Sequence, residues 1–315
     1  MKLTDAKRGR LAPTPTGFLH VGHARTFALA ASRAAGAGLV MRIEDLDLPR
    51  CREEFTAAAL EDLRWLGIEW TEGPDLGGPH APYRQSERTA WYLNTWRQLE
   101  AAGAIYPSPH SRRDVEEAGR APHESLPQPS AESRVAFRLP NGRGSLKATL
   151  HPERGSLRSR DVAQEPIFPA ALRPERWDRA TAPGGVAWRF RVPDGRVIEF
   201  VDALCGTVRR TCGIDFGDFV IWRRDDLAAY ELAVVADDHA LEIEEVVRGE
   251  DLLTSTARQL LLYEALGWQP PRWFHAPLVV DAEGRRLAKR TGGLTIRELR
   301  ARGLSSADVL AWRAP

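Results

Sequence analysis

Cysteine is scarce. The chain has three, Cys51, Cys205 and Cys212, scattered and without a Cys-x-x-Cys spacing. That excludes a disulfide framework and a zinc ribbon, and it fits a reducing cytoplasm. Long apolar runs are also lacking. None is long enough to cross a bilayer and Met1–Asp5 has no apolar core of the signal-peptide kind, so no membrane association is expected. Neither sign of charge is in excess: the formal net charge is +1, so a nucleic-acid partner has to be met by a local basic face. No internal repeat stands out. What remains is 315 residues, 43% hydrophobic and 28% charged. That is enough for one substantial domain with an insertion, or for two moderate ones.

The chain is organised around Arg10–His23, Arg-Leu-Ala-Pro-Thr-Pro-Thr-Gly-Phe-Leu-His-Val-Gly-His. Arg10-Leu11-Ala12, stopped by Pro13 and Pro15, suits a short buried strand ending in a rigid turn. His20–His23 then opens a run of helix formers, Ala24 to Ala35, without proline or glycine. Strand, turn and helix start make the nucleotide-binding corner of a parallel sheet, where a helix N-terminus offers N–H groups to phosphate. Gly22, with no side chain, lets a flat base or ribose lie on the backbone. His20 and His23 have two open readings: caps of a helix, or donors to phosphate oxygens as negative charge builds up.

Leu39–Asp45 reads as a second strand, with Glu44, Asp45 and Asp47 at its carboxyl end, where such sheets bind ligands. These acids either face that crevice or solvate the strand end, and Arg42 can pair with Glu44 or Asp47. Amphipathic or Gly-terminated helices are expected over Glu53–Leu66, from Gln85 to Gly103 and over Thr254–Leu266, the last with a capping box from Thr256 to Gln259. They alternate with apolar strands, the signature of a doubly wound parallel α/β sheet. The stretch Leu232–Ala236 is apolar enough for a central strand or a buried helix. The middle breaks the rhythm. Pro107–Pro129 reads as loop, and short β-like pieces rich in arginine follow to about Asp218, including Val186–Val192 and Val197–Phe200. The arginines between Arg154 and Arg210 either track a nucleic-acid backbone or are an ordinary Arg-rich surface. The organisation expected is a first half-sheet over 1–106, an inserted smaller α+β domain over 107–218, the second half-sheet over 219–290 and a short tail over 291–315. Near the end, Arg285–Gly293 is a cationic, glycine-flanked stretch suited to polyphosphate or simply to solvent.

Arg10–Arg25, Arg42–Asp47, Trp65-Leu66-Gly67, Gln85–Arg88, Tyr230–Asp238, Val247–Thr256 and Leu287–Arg290 together resemble the catalytic domain of class I glutamyl-tRNA synthetases. His20–His23 resembles that family's His-Ile-Gly-His signature, and Arg286–Arg290 its Lys-Met-Ser-Lys-Arg loop. The resemblance implies a Rossmann-type fold that activates L-glutamate with ATP and Mg2+ and transfers it to tRNA. About two dozen residues follow Arg290, too few for an anticodon-binding domain, so none is expected. That shortness resembles the truncated branch of the family, which esterifies glutamate to the queuosine base of tRNA(Asp). Other readings are a truncated enzyme charging a tRNA 3′ end, a ligase passing the adenylate to a small amine, and a catalytically impaired regulatory paralogue. A monomer is the default expectation.

Residue by residue, the resemblance implies that His20, His23 and Lys289 are catalytic. Arg10, Ala12 and Thr14 would line the glutamate pocket, Glu44 would hold the substrate ammonium, and Tyr230 and Arg248 would take its carboxylates. His20, Gly22, His23, Arg286, Lys289 and Arg290 would bind ATP. An ionised carboxylate needs no general base to attack phosphorus, so the lack of a nucleophile–base triad is no objection. Two departures stand out. Ala288 and Arg286 replace a serine and a lysine of the signature loop, and Ser108 and His110 stand where many relatives have a zinc-binding Cys-x-Cys. Structural zinc is therefore expected to be absent.

Overall fold

The structure, a computed structural model, describes residues 6–111, 113–115, 167–279 and 295–311. Two βαβ units meet at its centre. In the first, β1 (Gly9–Leu11) and β2 (Leu39–Met41) run parallel, with Arg10 opposite Val40, and both are wholly buried. Helix α1 (Val21–Arg33) makes the crossover. In the second, β8 (Glu245–Gly249) runs parallel to β9 (Arg272–Ala276), with Arg248 opposite His275. The crossover there is α5 (Leu253–Leu266), closed by Gly267 in the left-handed conformation at φ 68°. Arg8 O accepts from the backbone N–H groups of Glu244 (2.9 Å) and Glu245 (3.2 Å), which seats β1 beside β8.

Leu11, Met41, Ile43 and Val247 of this sheet share a core with Ala24 and Ala30 of α1 and with Leu63 of α2 (Glu53–Trp65). Ile296 and Leu299 of α6 (Ile296–Ala301) and Val309 of α7 (Ser306–Ala311) join the same core, so these two helices pack onto the parallel layer. Thr295 starts α6 with a reciprocal cap. Its hydroxyl accepts from Glu298 N, and Glu298 Oε2 accepts from Thr295 N at 2.8 Å.

Tyr230–Ala240 is helix α4. Every residue from Glu231 to Asp238 is buried, because the neighbouring α3 (Thr89–Ala101) and α5 leave no solvated face. The helix expected from Gln85 is divided. A 3-10 turn over Gln85–Glu87 comes first, with Asp45 accepting from Ser86 N and Oγ at 2.8 Å each, and α3 begins only at Thr89.

Two further β elements lie among the described residues. β3 (Ile105–Ser108), β4 (Ala187–Phe190) and β7 (Phe219–Trp222) form an antiparallel sheet. β5 (Val197–Asp202) and β6 (Gly206–Thr211) form a hairpin, and β5 alternates exposed and buried residues at period two. β5 touches β9 at one parallel register, Asp202 opposite Trp273, which ties the hairpin to the second βαβ unit.

Candidate active site

The corner after β1 is built by the two histidines. Gly22 N donates to His20 Nδ1 at 3.1 Å, and His20 N donates to His23 Nδ1 at 3.2 Å, a reciprocal cap on α1. Each Nδ1 accepts, so a neutral ring carries its proton on Nε2. The rings lie 3.8 Å apart, centroid to centroid. The histidines thus cap the helix through one ring edge, the first of the two readings, and both line the cleft in front of it.

That cleft has a volume of 660 Å³, and Arg10, Ala12, Thr14, Glu44, Tyr230 and Arg248 line it together with His20, Gly22 and His23. Arg10 is buried, its Nη1 donating to Val247 O at 3.2 Å and its Nε 3.4 Å from Asp238. Burial lowers its pKa, and Asp238 opposes that. Arg42, fully buried beneath, donates to Asp238 (2.5 Å) and to Glu44 (2.8 Å) and stands 3.7 Å from Asp237. Burial works against its charge, but Asp238, Glu44 and Asp237 together raise its pKa well above that of a free guanidinium. Asp237 turns the other way and is held by Arg88, Gln85 and the Tyr92 hydroxyl. Arg42 therefore pairs with Glu44, one of the two partners expected for it, and Asp47 pairs with Arg50.

Arg248 is also buried. Nη2 donates to Thr256 Oγ1 at 2.7 Å and Nε to His275 Nε2 at 3.3 Å, while Nη1 has no hydrogen bond among the described residues. A buried guanidinium nitrogen left open beside a cleft is a site for an anion. The capping box expected at Thr256 is overturned: the residue sits inside α5, occupied by Arg248, and Gln259 reaches Glu231. Leu252 takes the N-cap position, without a side-chain cap.

A second cavity of 1130 Å³ adjoins the first, and the two share Thr14, Glu44, Tyr230 and Leu252. Its far side includes His110, Arg189, Asp218, Arg223 and Arg258. Several arginines of the middle stretch pair within the chain. Arg173 binds Asp194 and Asp218, Arg179 faces Glu100, and Arg209 pairs with Glu199. Arg154, Arg158 and Arg160 lie outside the described residues, as do Arg286, Ala288, Lys289 and Arg290. The described chain stops at Val279, which lines the first cleft, and resumes at Thr295, which bridges to His20. Among the described residues no group of three or more His, Cys, Asp or Glu side chains could hold a metal ion, and no helix is long and apolar enough to cross a membrane.

A family model described as tRNA synthetases class I (E and Q), catalytic domain, matches residues 7–138 and 156–310. The chain is 41% identical to a glutamyl-Q tRNA(Asp) synthetase of Nitratidesulfovibrio vulgaris, over 98% of this chain and 85% of that protein. It is 39% identical to glutamate–tRNA ligase 2 of Acidithiobacillus ferrooxidans, over 96% of this chain and 56% of that one. Among solved structures it is similar to a glutamate tRNA ligase from Elizabethkingia meningosepticum in complex with its amino acid. There the TM-score is 0.66 and the identity 28%, over 95% of this chain and 54% of that one. The chain spans about half the length of these two glutamate–tRNA ligases. It belongs to the class I tRNA synthetase (E and Q) family, with the Rossmann-type α/β fold of its catalytic domain.

Proposed function

We propose that this chain is a ligase that activates L-glutamate with ATP, taken with Mg2+ as substrate, and transfers it to the queuosine base in the anticodon of tRNA(Asp). One observation carries the reading. Two buried guanidiniums, Arg10 and Arg248, and one carboxylate, Glu44, line a single cleft at the N-terminus of α1. Glutamate has the complementary set, two carboxylates and one ammonium. Offered glutamine, the site would leave a buried cation without its counter-ion, a loss of roughly 3–5 kcal/mol, so selection by charge needs no editing step.

In the reaction proposed, a substrate carboxylate oxygen attacks the α-phosphorus of ATP. A C–O–P anhydride forms, the bond from the α-phosphorus to the bridging oxygen breaks, and pyrophosphate leaves. His20 and His23 donate from Nε2 to phosphate oxygens, and Gly22 gives the nucleotide room at the backbone. Ala12 and Thr14 shape the amino-acid pocket and Tyr230 closes it. Lys289, with Arg286 and Arg290, would neutralise the departing pyrophosphate. Its segment leaves and rejoins the described chain beside the cleft. The adjoining larger cavity then admits the acceptor nucleoside. In this reading 1–106 and 219–290 form the catalytic unit, 107–218 the acceptor-side insertion and 291–315 a tail, in a cytoplasmic monomer.

Two assays test the reading. Glutamate-dependent exchange of pyrophosphate into ATP is expected, with glutamine at least about 100-fold poorer. Labelled glutamate is expected on tRNA(Asp) bearing queuosine and not on the same tRNA lacking it. Label on the 3′ end of any tRNA would instead identify a charging enzyme, and label on neither with exchange intact would point to a small acceptor.

A further inference from the structure

Arg248 is aimed by groups that do not touch the cleft. His275 on β9 is fully buried, and both its backbone N and its Nδ1 donate to Asp202 Oδ2, at 3.0 Å and 2.7 Å. Asp202 Oδ1 accepts from the backbone N–H groups of Leu204 and Cys205, at 2.9 Å and 2.7 Å. Burial opposes the Asp202 charge, but those amides and His275 outweigh it and hold its pKa below the usual carboxylate range. Burial, and then the neighbouring Arg248 cation, push the imidazole down to about 4 against the pull of Asp202. The ring is therefore neutral near pH 7 and has one proton to place. An ionised carboxylate can only accept, so that proton sits on Nδ1. Nε2 then presents a lone pair to Arg248 Nε at 3.3 Å and to Thr256 Oγ1 at 3.0 Å. The Trp273 ring, 4.7 Å from the guanidinium carbon, covers the same group.

We propose that Asp202 and His275 act as a tautomer lock: they are positioning residues that fix Arg248 with Nη1 turned to the substrate carboxylate. The proposal rests on the reading of Arg248 as a carboxylate partner. In the other tautomer Nε2–H would turn to Thr256 Oγ1, the guanidinium Nε–H would lose its acceptor, and Arg248 would leave its aim. A purely structural role does not call for this arrangement, because buried polar sets can be exchanged for apolar side chains without loss of stability. Recognition of a planar carboxylate does call for a guanidinium held at a fixed angle. The lock also makes amino-acid binding depend on β5, a strand outside the central βαβ units.

The test uses the full chain and three variants. Asp202→Asn keeps an oxygen for the Leu204 and Cys205 amides but lets the imidazole proton move to Nε2. His275→Phe removes the acceptor, and His275→Gln returns an oxygen near the Nε2 position. For the first two, the KM for glutamate in pyrophosphate exchange is expected to rise about 10- to 100-fold while the KM for ATP stays within about two-fold, and His275→Gln is expected to recover part of the loss. A glutamate KM unchanged in both variants, or both KM values rising together, would overturn the lock. If the variants fail to fold, 15N NMR of the wild-type histidine ring decides. A bare Nε2 near neutral pH supports the proposal, and a protonated Nε2 overturns it. That measurement needs no substrate, so it stands apart from a failure of wild-type glutamate exchange, which would refute the functional reading instead.

Discussion

Replacing Gly22 by alanine sets two effects of similar size against each other in the fold and only one of them in the reaction. A Cβ at Gly22 would lie 2.9 Å from His20 Cε1 and 3.1 Å from its Nδ1. An ordinary contact needs about 3.4 Å, so the ring must retreat by about 0.5 Å. The bond from Gly22 N to His20 Nδ1 is 3.1 Å, and that retreat stretches it to about 3.6 Å, beyond hydrogen-bonding range. Losing an N-cap acceptor costs about 1 kcal/mol. Alanine in a helix returns about 1 kcal/mol relative to glycine. The two nearly cancel, and thermal unfolding is expected within a few degrees of the wild-type midpoint. If His20 donates to phosphate as proposed, it gains nothing to offset its displacement, so pyrophosphate exchange is expected to fall about 10- to 100-fold. Full exchange activity in Gly22→Ala would refute the role given to the His20 ring. A loss of stability beyond about 3 kcal/mol in urea denaturation would refute the cancellation.

Asp62 is buried without a hydrogen bond among the described residues, and burial pushes its pKa to about 6 despite Arg297 Nε at 3.4 Å. The folded chain then holds a proton that the unfolded chain has lost between about pH 4 and 6, so this group's contribution to stability falls as pH rises through that window and stays lost above it. Asp62→Asn is expected to flatten that slope and to gain about 2 kcal/mol at pH 8, read by urea denaturation at both ends of the window. Arg42→Met takes from Asp238 and Glu44 the guanidinium they share, with Arg10 still beside Asp238, and equilibrium denaturation is expected to show a loss of about 3 kcal/mol. Tyr106→Phe removes a 2.5 Å bond to Asp218. Arg173 and Val192 N still hold that carboxylate, so calorimetry is expected to show a loss of only about 1 kcal/mol.

The parallel layer was legible because short apolar runs such as Leu39–Met41 alternate with helices that carry local stop signals such as Gly67 and Gly267. The cleft residues Arg10, Glu44, Tyr230 and Arg248 were nameable from blocks whose order and spacing resemble a known catalytic domain. Helix α4 was ambiguous for a physical reason: burial on every side erases the periodicity that separates helix from strand. Thr256 was misread because a threonine three residues before a glutamine looks like a cap wherever it stands, and only the fold shows its hydroxyl committed to Arg248. Asp202 and His275 gave no signal. They lie 73 positions apart, one in a hairpin and one on an apolar strand, and nothing in either neighbourhood marks them as a pair. Asp238 was inside a recognised block, but its grip on both Arg10 and Arg42 depends on residues roughly two hundred positions upstream.

Thr14, Glu44, Tyr230 and Leu252 border both cavities, and this has a kinetic consequence for the chemistry proposed. A mixed anhydride is prone to hydrolysis, so each moment it spends in bulk water between formation and use wastes ATP. Here the two chambers meet along a common threshold, and the activated acyl group can be handed across it without ever leaving the protein. Substitutions on that threshold, Tyr230 above all, would be expected to disturb both half-reactions at once, which makes it the hardest place in the molecule to change one specificity alone.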